Sequence, residues 1–448
     1  MSKTNLTQGS VVGNIFSFSL PYMLSYFLQI LYGLADLFVI GRYCGVDSTT
    51  AVSIGAQVMH MLTVVIIGLA MGTTVLTARA VGAGDRGRAS KIIGNTFSIF
   101  AILAVVLTAL LLASCHFIVH LMDTPPEAVR ETQEYLTVCF AGVPFVVFYN
   151  VIASVYRGLG DSKSPMYFVI VACVTNIVLD YLLIGWIGLG AMGAALGTTL
   201  SQVVSVLFAA MAIRRHRSVL GIRRSDLRPS RRMLGAMMKI GLPVGVQDGL
   251  IQVSFIAITV IANGRGLYDA AAVGIVEKFI GLLFVIPSSM LSTVSAVSAQ
   301  NIGAGQMDRA RATMRYAIYI CAGFGLVVAT VLQFVPEVAV RIFTDDTQVV
   351  AKGAEYLQGY VWDCVLAGIH FCFSGFFTAC GYSIISFAHN LLAIVSLRIP
   401  LSYLASEAYP DTLYPMGLAT VAGSLLSVII CAVVYKWLLK HEKLETVC

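Results

Sequence analysis

Twelve apolar stretches of about 20 residues or more, spread over the whole length of the chain, leave it few ways to fold. At 1.5 Å per residue each is long enough to cross a hydrocarbon core of about 30 Å as a helix. The predicted spans are 14–40, 51–78, 92–117, 134–156, 165–185, 189–213, 240–263, 269–297, 313–334, 355–380, 384–406 and 414–438. Only 12% of the 448 residues are charged, against about 25% in a soluble domain, so a water-soluble fold would lack polar cover. The expected class is an all-α polytopic membrane protein. The leading segment MSKTNLTQGS carries one lysine and no short h-region with a cleavage site, so no signal peptide is expected to be removed.

The net charge of +6 reads as topology rather than as affinity for nucleic acid. With the N-terminus inside, 22 of the 29 basic residues fall in inner segments, and only Arg42, Arg130, Arg265, Arg341 and Lys352 fall outside. The positive-inside rule then places both termini in the cytoplasm of a multi-pass cell-membrane protein. The stretch RRHRSVLGIRRSDLRPSRR, at 214–232, is the one long polar connection and the expected linker, a basic anchor on anionic headgroups. Ten cysteines stand singly without a CxxC pair and are expected to be reduced, buried and apolar in character.

An internal repeat divides the chain. VGAGDRGRA at 81–89 matches IGAGQMDRA at 302–310 at five of nine positions, at an offset of 221. The same offset carries Glu134-Tyr135-Leu136 onto Glu355-Tyr356-Leu357 and Gly160 onto Gly381, and Leu20-Pro21 meets Leu242-Pro243 one residue out of step. The expected organisation is a six-helix lobe over 1–213, a basic linker over 214–239 and a second six-helix lobe over 240–448. An even number of spans per lobe makes the repeats parallel, with substrate passing between them.

A carboxylate inside a membrane span costs at least about 2.5–3.5 kcal/mol even on the lenient scale, so each one is a functional candidate. Asp36, Asp180, Asp248, Glu277 and Asp363 qualify. Asp36 precedes Arg42 by six residues and Asp180 precedes Trp186 by six, so their depths match. Asn176 shares a helix face with Asp180, and Thr198 reaches the same level on the next span. Two carboxylates, an amide and a hydroxyl can ligate a hard cation or hold a proton shared between acids. The alternative for these groups is helix–helix hydrogen bonding beside a wet cavity.

LPYMLSYFLQILYGLADLFVIGRYCG, ARAVGAGDRGRA, YRGLGDSKSP, TNIVLDYLLI and GAALGTTLSQ, with SAQNIGAGQMDRAR and SLRIPLSYLAS in the second half, resemble the multidrug and toxic compound extrusion (MATE) family. The resemblance covers essentially the whole chain. It implies a V-shaped monomeric transporter of two lobes, driven by H⁺ or Na⁺ and exporting amphipathic, often cationic organic compounds. In prokaryotic members with an N-lobe cation site, the family's first-helix Asp falls on Asp36, its fifth-helix Asn and Asp on Asn176 and Asp180, and its sixth-helix Thr on Thr198. A backbone carbonyl one turn earlier would be that of Ala194. The proline of the family's first-helix bend falls on Pro21, as a hinge or a static kink, while Pro243 is expected at the start of the seventh span.

The second half lacks this cluster, since Ile258 stands opposite Asp36 in the repeat. Other branches of the family place acidic cation ligands in the seventh and tenth helices, and Asp248 and Asp363 match these only loosely. Glu277, Asp363 and Asp248 are therefore candidate substrate or ion groups, with buried hydrogen bonding as the other reading. Arg157 and Arg398 are expected near the inner ends of the fourth and eleventh spans, snorkelling or steadying a gate, with direct substrate contact as the other reading. Tyr32, Phe145, Phe148, Tyr149, Tyr156, Phe255, Phe279 and Phe376 could line a greasy cavity, though packing or lipid contact is the more ordinary role. His60, His370 and His389 stand far apart in sequence and form no metal triad. Gly82, Gly84, Gly303 and Gly305 are expected at helix-ending cytoplasmic turns, and no phosphate-loop lysine implies ATP.

Three rival readings remain. A lipid-linked oligosaccharide flippase would explain the spans but not the N-lobe cluster. A membrane-embedded enzyme would rest on Asp345-Asp346 in an outer loop. A channel fits a twofold repeat with an off-axis ionisable site poorly. No enzyme activity, cofactor or nucleic-acid partner is expected, only H⁺ or Na⁺, organic substrates and lipid.

Overall fold

The computed structural model describes residues 5–215 and 223–441; among these no strand occurs. Among the described residues ten helical runs are long and apolar enough to cross a membrane, and counting each of two bent helix pairs as one span gives twelve. In chain order they are α1 (Val11–Tyr43), α2 (Val46–Gly82), α3 (Arg86–Leu121), α4 (Val129–Ala141 and Val143–Gly158), α5 (Lys163–Asp180, running into a π turn at Tyr181–Trp186) and α6 (Gly190–Arg215). There follow α7 (Arg231–Asn263), α8 (Leu267–Leu283 and Val285–Gly303), α9 (Met307–Phe334), α10 (Thr347–Tyr360 and Asp363–Ala379), α11 (Ser383–Ala393, a π turn at Ile394–Arg398, then Ile399–Ala408) and α12 (Tyr414–Lys440). Large apolar side chains face outward along these helices, among them Val105, Leu110 and Phe117 of α3 and Val174 and Val178 of α5. Such a girdle suits lipid rather than water, and the chain is a multi-pass membrane protein.

Where the helices break, the sequence supplies the cause. α4 bends by 46° at Gly142, just before Pro144, whose ring cannot tolerate the carbonyl four residues back. In α8, Pro287 acts in the same way on Leu283, the last residue of the first segment. α10 bends by 42° at Val361–Trp362 without a proline, which makes Asp363 the first residue of its second segment. Pro243 does not start a helix as expected. α7 begins twelve residues earlier at Arg231, because the basic stretch RRMLGAMMK is itself helical, so Pro243 lies inside it. The carbonyl that Pro243 deprives of its donor, that of Lys239, instead accepts a hydrogen bond from Ser383 Oγ at 2.9 Å.

The repeated glycines have a common local reason. Gly84 and Gly305 both have φ +71°, and Gly160 and Gly381 have +88° and +81°. Each lies just past a helix end in the left-handed region, where a side chain would be strained. The amide of the following residue reaches back five positions: Asp85 to Ala80, Gln306 to Asn301, Asp161 to Tyr156 and Tyr382 to Phe377. Four helix ends are thus closed by the same motif, which is what the 221-residue offset preserves.

The chain divides into two compact units, Leu20–Met238, and Lys239–Cys448 together with Asn5–Ser19. Of the expected linker, residues 216–222 lie outside the described residues, and the remainder through Met238 packs with the first unit. A 3₁₀ turn at Arg224–Leu227 crosses α3 where Gly94 leaves room for the Asp226 backbone. Asn95 fastens it there, donating to the Asp226 carbonyl at 3.0 Å and accepting from the Ser230 amide at 2.8 Å. In the second unit Asn5–Ser19 is tied down by Asn301 and Arg309, which donate to the carbonyls of Leu6 and Gly9 at 3.3 and 3.0 Å.

Arg265, at the α7–α8 corner, clasps the second unit. Its Nε donates to Asp269 Oδ2 at 2.7 Å, and its two terminal nitrogens donate to the carbonyls of Ser406, in the last turn of α11, and of Tyr409, Pro410 and Thr412 in the loop before α12. Both ionic side chains are at most 10% exposed. Arg265→Ala strips four carbonyls of a donor and one carboxylate of its nearest cation, which is expected to destabilise the protein by about 3 kcal/mol. Arg130→Ala, which breaks an exposed pair with Glu134, should cost below about 1 kcal/mol. Thermal unfolding in detergent compares the two, and equal melting shifts would show that the clasp contributes nothing.

Candidate functional site

Three helices of the first unit deliver one polar cluster. Asp36 comes from α1, Asn176 and Asp180 from α5, and Thr198 from α6. Asn176 and Asp180 are fully buried, and Asp36 is 4% exposed. Thr198 Oγ1 donates to Asp36 Oδ2 at 3.1 Å. Asp180 and Asn176 are the other polar neighbours of Asp36, without a hydrogen bond to it. Asp180 ends the regular part of α5, immediately before the π turn, a feature that recurs at functional sites because it re-aims the side chains beside it.

The close approach of α5 to α6 depends on a residue that sequence reasoning passed over. Gly197 lies against Asp180: a Cβ there would collide with Asp180 Oδ1 and come within 3.7 Å of Asn176 Nδ2. The only sequence signal was a glycine inside an otherwise good helix, GAALGTTLSQ, where the backbone cost asks for a packing reason. Ala194, one turn before Thr198, is fully buried on the same helix.

The cluster leaves most of its polar atoms unmet. Asp36 Oδ1, both oxygens of Asp180, and the Asn176 oxygen and nitrogen are buried without a hydrogen-bond partner. Two carboxylates in reach of each other repel unless a proton or a cation lies between them. Among the described residues no Lys, Arg or His forms an ion pair with either one. No group of three or more His, Cys, Asp or Glu that would hold a transition metal occurs among them either. The donor set of carboxylate, amide and hydroxyl oxygens fits a hard monovalent cation or a proton.

Pro21 lies inside α1, fifteen residues before Asp36, and its carbonyl accepts from Ser25 Oγ at 2.8 Å. Its neighbour Tyr22 is covered by Arg157, whose Cζ stands 4.6 Å from the ring centroid and whose Nη1 reaches the hydroxyl at 3.5 Å. Arg157 is 7% exposed in the last turn of α4, so it does not snorkel.

The second-half candidates are dispersed differently from the sequence reading. Glu277 Oε2 accepts from Thr259 Oγ1 at 3.0 Å, while its other oxygen has no partner. Asp248 is half-buried and makes no hydrogen bond or ion pair among the described residues. Asp363 is fully buried with neither oxygen hydrogen-bonded. Arg398 is not near an inner end: it lies fifteen residues into the span that starts at Ser383, buried, because the π turn carries it inward. His370 and His389, far apart in sequence, meet with ring centroids 5.5 Å apart, and His389 Nε2 lies 2.8 Å from Ser374 Oγ. Asp346 is used as a cap, accepting from the amides of Gln348 and Val349 at 2.9 and 3.0 Å. Of the candidate cavity aromatics, Tyr149, Tyr156 and Phe376 are buried in the packing, and Phe255 lies beneath Arg398.

Comparison with known proteins places these features. The MatE family model matches residues 21–182 and 243–404. The probable multidrug resistance protein YoeA of Bacillus subtilis is 27% identical over 397 residues, 87% of this chain and 86% of that one. The multidrug export protein MepA of Staphylococcus saprophyticus is 26% identical over 382 residues, 84% and 83% of the two chains. A MATE crystallised in complex with MaL6 superposes with a TM-score of 0.90 at 24% identity, covering 100% of this chain and 99% of the other, a likeness of fold.

Proposed function

Because the chain belongs to the MatE family, we propose that it is a secondary active exporter of amphipathic, often cationic organic compounds, which it exchanges for H⁺ or Na⁺ by alternating access. The observation that carries the reading is the buried pair Asp36–Asp180, which has no counter-charge and three carboxylate oxygens without a hydrogen-bond partner. An exchangeable cation relieves that imbalance. The multidrug names of the relatives support the class of cargo. The partners are then small organic molecules and membrane lipid, and the protein works as a monomer in the cell membrane with both termini in the cytoplasm.

The chemistry follows from linkage. A ligand shifts a conformational equilibrium only by its differential affinity for the two states, so the cation and the organic compound must favour different ones. Asp36, Asp180, Asn176 and Thr198 hold the cation through oxygen, and the Ala194 carbonyl, one turn from Thr198, completes the set. Pro21 gives α1 a point at which to bend when the cation leaves. Gly197 keeps Asp180 seated against α6.

Proteoliposomes loaded with a fluorescent organic cation and given H⁺ or Na⁺ gradients in turn test this reading. Efflux against the compound's own gradient is expected with one of the two ions. Downhill leakage only, whichever ion is imposed, would contradict antiport.

A further inference from the structure

The fifth helix of each unit carries a π turn with a chemically distinctive residue at its edge, but the two residues have opposite charge. In α5 it is Asp180, for which Gly197 of α6 leaves room. In α11 it is Arg398, and Gly423 of α12 leaves the room: a Cβ there would lie 3.1 Å from Arg398 Cβ. The guanidinium turns inward over the rings of Phe255 and Tyr360, at 4.8 and 5.9 Å, and Nη2 donates to the Tyr360 hydroxyl at 2.8 Å. Its Nε has no partner.

Arg398 and Asp363 line one small pocket. The space, about 20 Å³, is that of one water or one small cation, and its charged lining residues are Asp363 and Arg398. Among the described residues the two make no direct ion pair, and both Asp363 oxygens and Arg398 Nε are buried and unpartnered there. One carboxylate and one guanidinium balance in the pocket lining itself, while Glu277, which also lies within electrostatic range of Arg398, stands outside that lining and is held by Thr259. The first unit differs in that two carboxylates face each other with no basic side chain paired to them.

We propose that Arg398 is a fixed cation, standing in the second unit for the ion that the first unit exchanges. A guanidinium keeps its charge at every working pH and its backbone tether prevents it from leaving. A free cation entering the cavity would find Asp363 already balanced and would meet the guanidinium's repulsion. Ion exchange is thereby confined to the Asp36–Asp180 cluster, and Arg398 sets how many cations move per cycle. This consequence rests on the reading of the chain as an ion-coupled exporter; the presence of the fixed cation does not.

The test counts exchangeable cations per protein in nanodiscs, with H⁺ uptake read by an indicator dye and radioactive Na⁺ as the second probe. Arg398→Leu is expected to gain one cation per protein, also in an Asp36→Asn background, where the first-unit site is disabled. The gain should vanish in Arg398→Leu/Asp363→Asn and be missing in Arg398→Lys. With Arg398 in place, Asp363→Asn should leave the count unchanged. That last comparison decides the matter even if Arg398→Leu fails to fold. A count lowered by one in Asp363→Asn, or a folded Arg398→Leu that gains nothing, would overturn the proposal. Loss of ion binding in neither Asp36→Asn nor Asp180→Asn would instead count against the first-unit site and leave this one standing.

Discussion

Asp36→Asn and Asp180→Asn are each expected to bring gradient-driven efflux down to the leak of protein-free liposomes, with insertion and folding unchanged. The amide keeps the shape of the carboxyl but removes the charge that calls for a cation. Thr198 can still donate to the oxygen at position 36, so the local packing survives. What is lost is the coupling, a free energy of about 1–3 kcal/mol between two ligands in systems of this kind, or about 5–150-fold in affinity. Efflux from proteoliposomes at equal incorporation measures it. Full efflux by both variants would make the cluster structural and move the search to Glu277 and Asp363.

Gly197→Ala is expected to lower ion-driven efflux by at least about tenfold, equivalent to ~1.4 kcal/mol at the site. The added methyl falls on Asp180 Oδ1, so either α6 withdraws or Asp180 changes its position. A binding constellation tolerates about 0.5 Å of displacement, and the collision is larger than that. Gly281→Ala is the control, because nothing stands within 4 Å of the methyl it would add in α8. The same efflux assay reads both. Parent-like transport by Gly197→Ala would mean that Asp180 does not need its seat.

Much of this architecture is legible from residues alone because membrane insertion imposes a length and a polarity on every span. Asn176 and Asp180 could be placed on one face since four residues make one helical turn. Their meeting with Asp36 across helices followed from matched depth and from the family resemblance, not from helical periodicity. The same reasoning could not see Arg398 with Asp363, or His370 with His389, since each pair comes from different helices and depends on how those helices rotate. The π turn at Ile394–Arg398 shifts that rotation and leaves no mark in composition. The bend at Val361–Trp362 likewise has no proline to announce it. Pro243 misled in the opposite direction: it read as a helix start because the basic residues before it looked like loop, although lysine, arginine, methionine and leucine are all good helix formers. Gly197 and Gly423 have meaning only through the side chains they accommodate.

Affinity of the purified protein for a fluorescent organic cation, followed by polarisation in nanodiscs as H⁺ or Na⁺ is raised, reads the proposed coupling without a gradient. For the unaltered chain the affinity is expected to fall as the coupling ion saturates Asp36 and Asp180, and by reciprocity the compound should weaken ion binding by the same factor. In Asp36→Asn and Asp180→Asn the affinity should be indifferent to the ion. An affinity that does not respond to either ion in the unaltered chain, or that responds equally in all three proteins, would contradict the assignment of the coupling site.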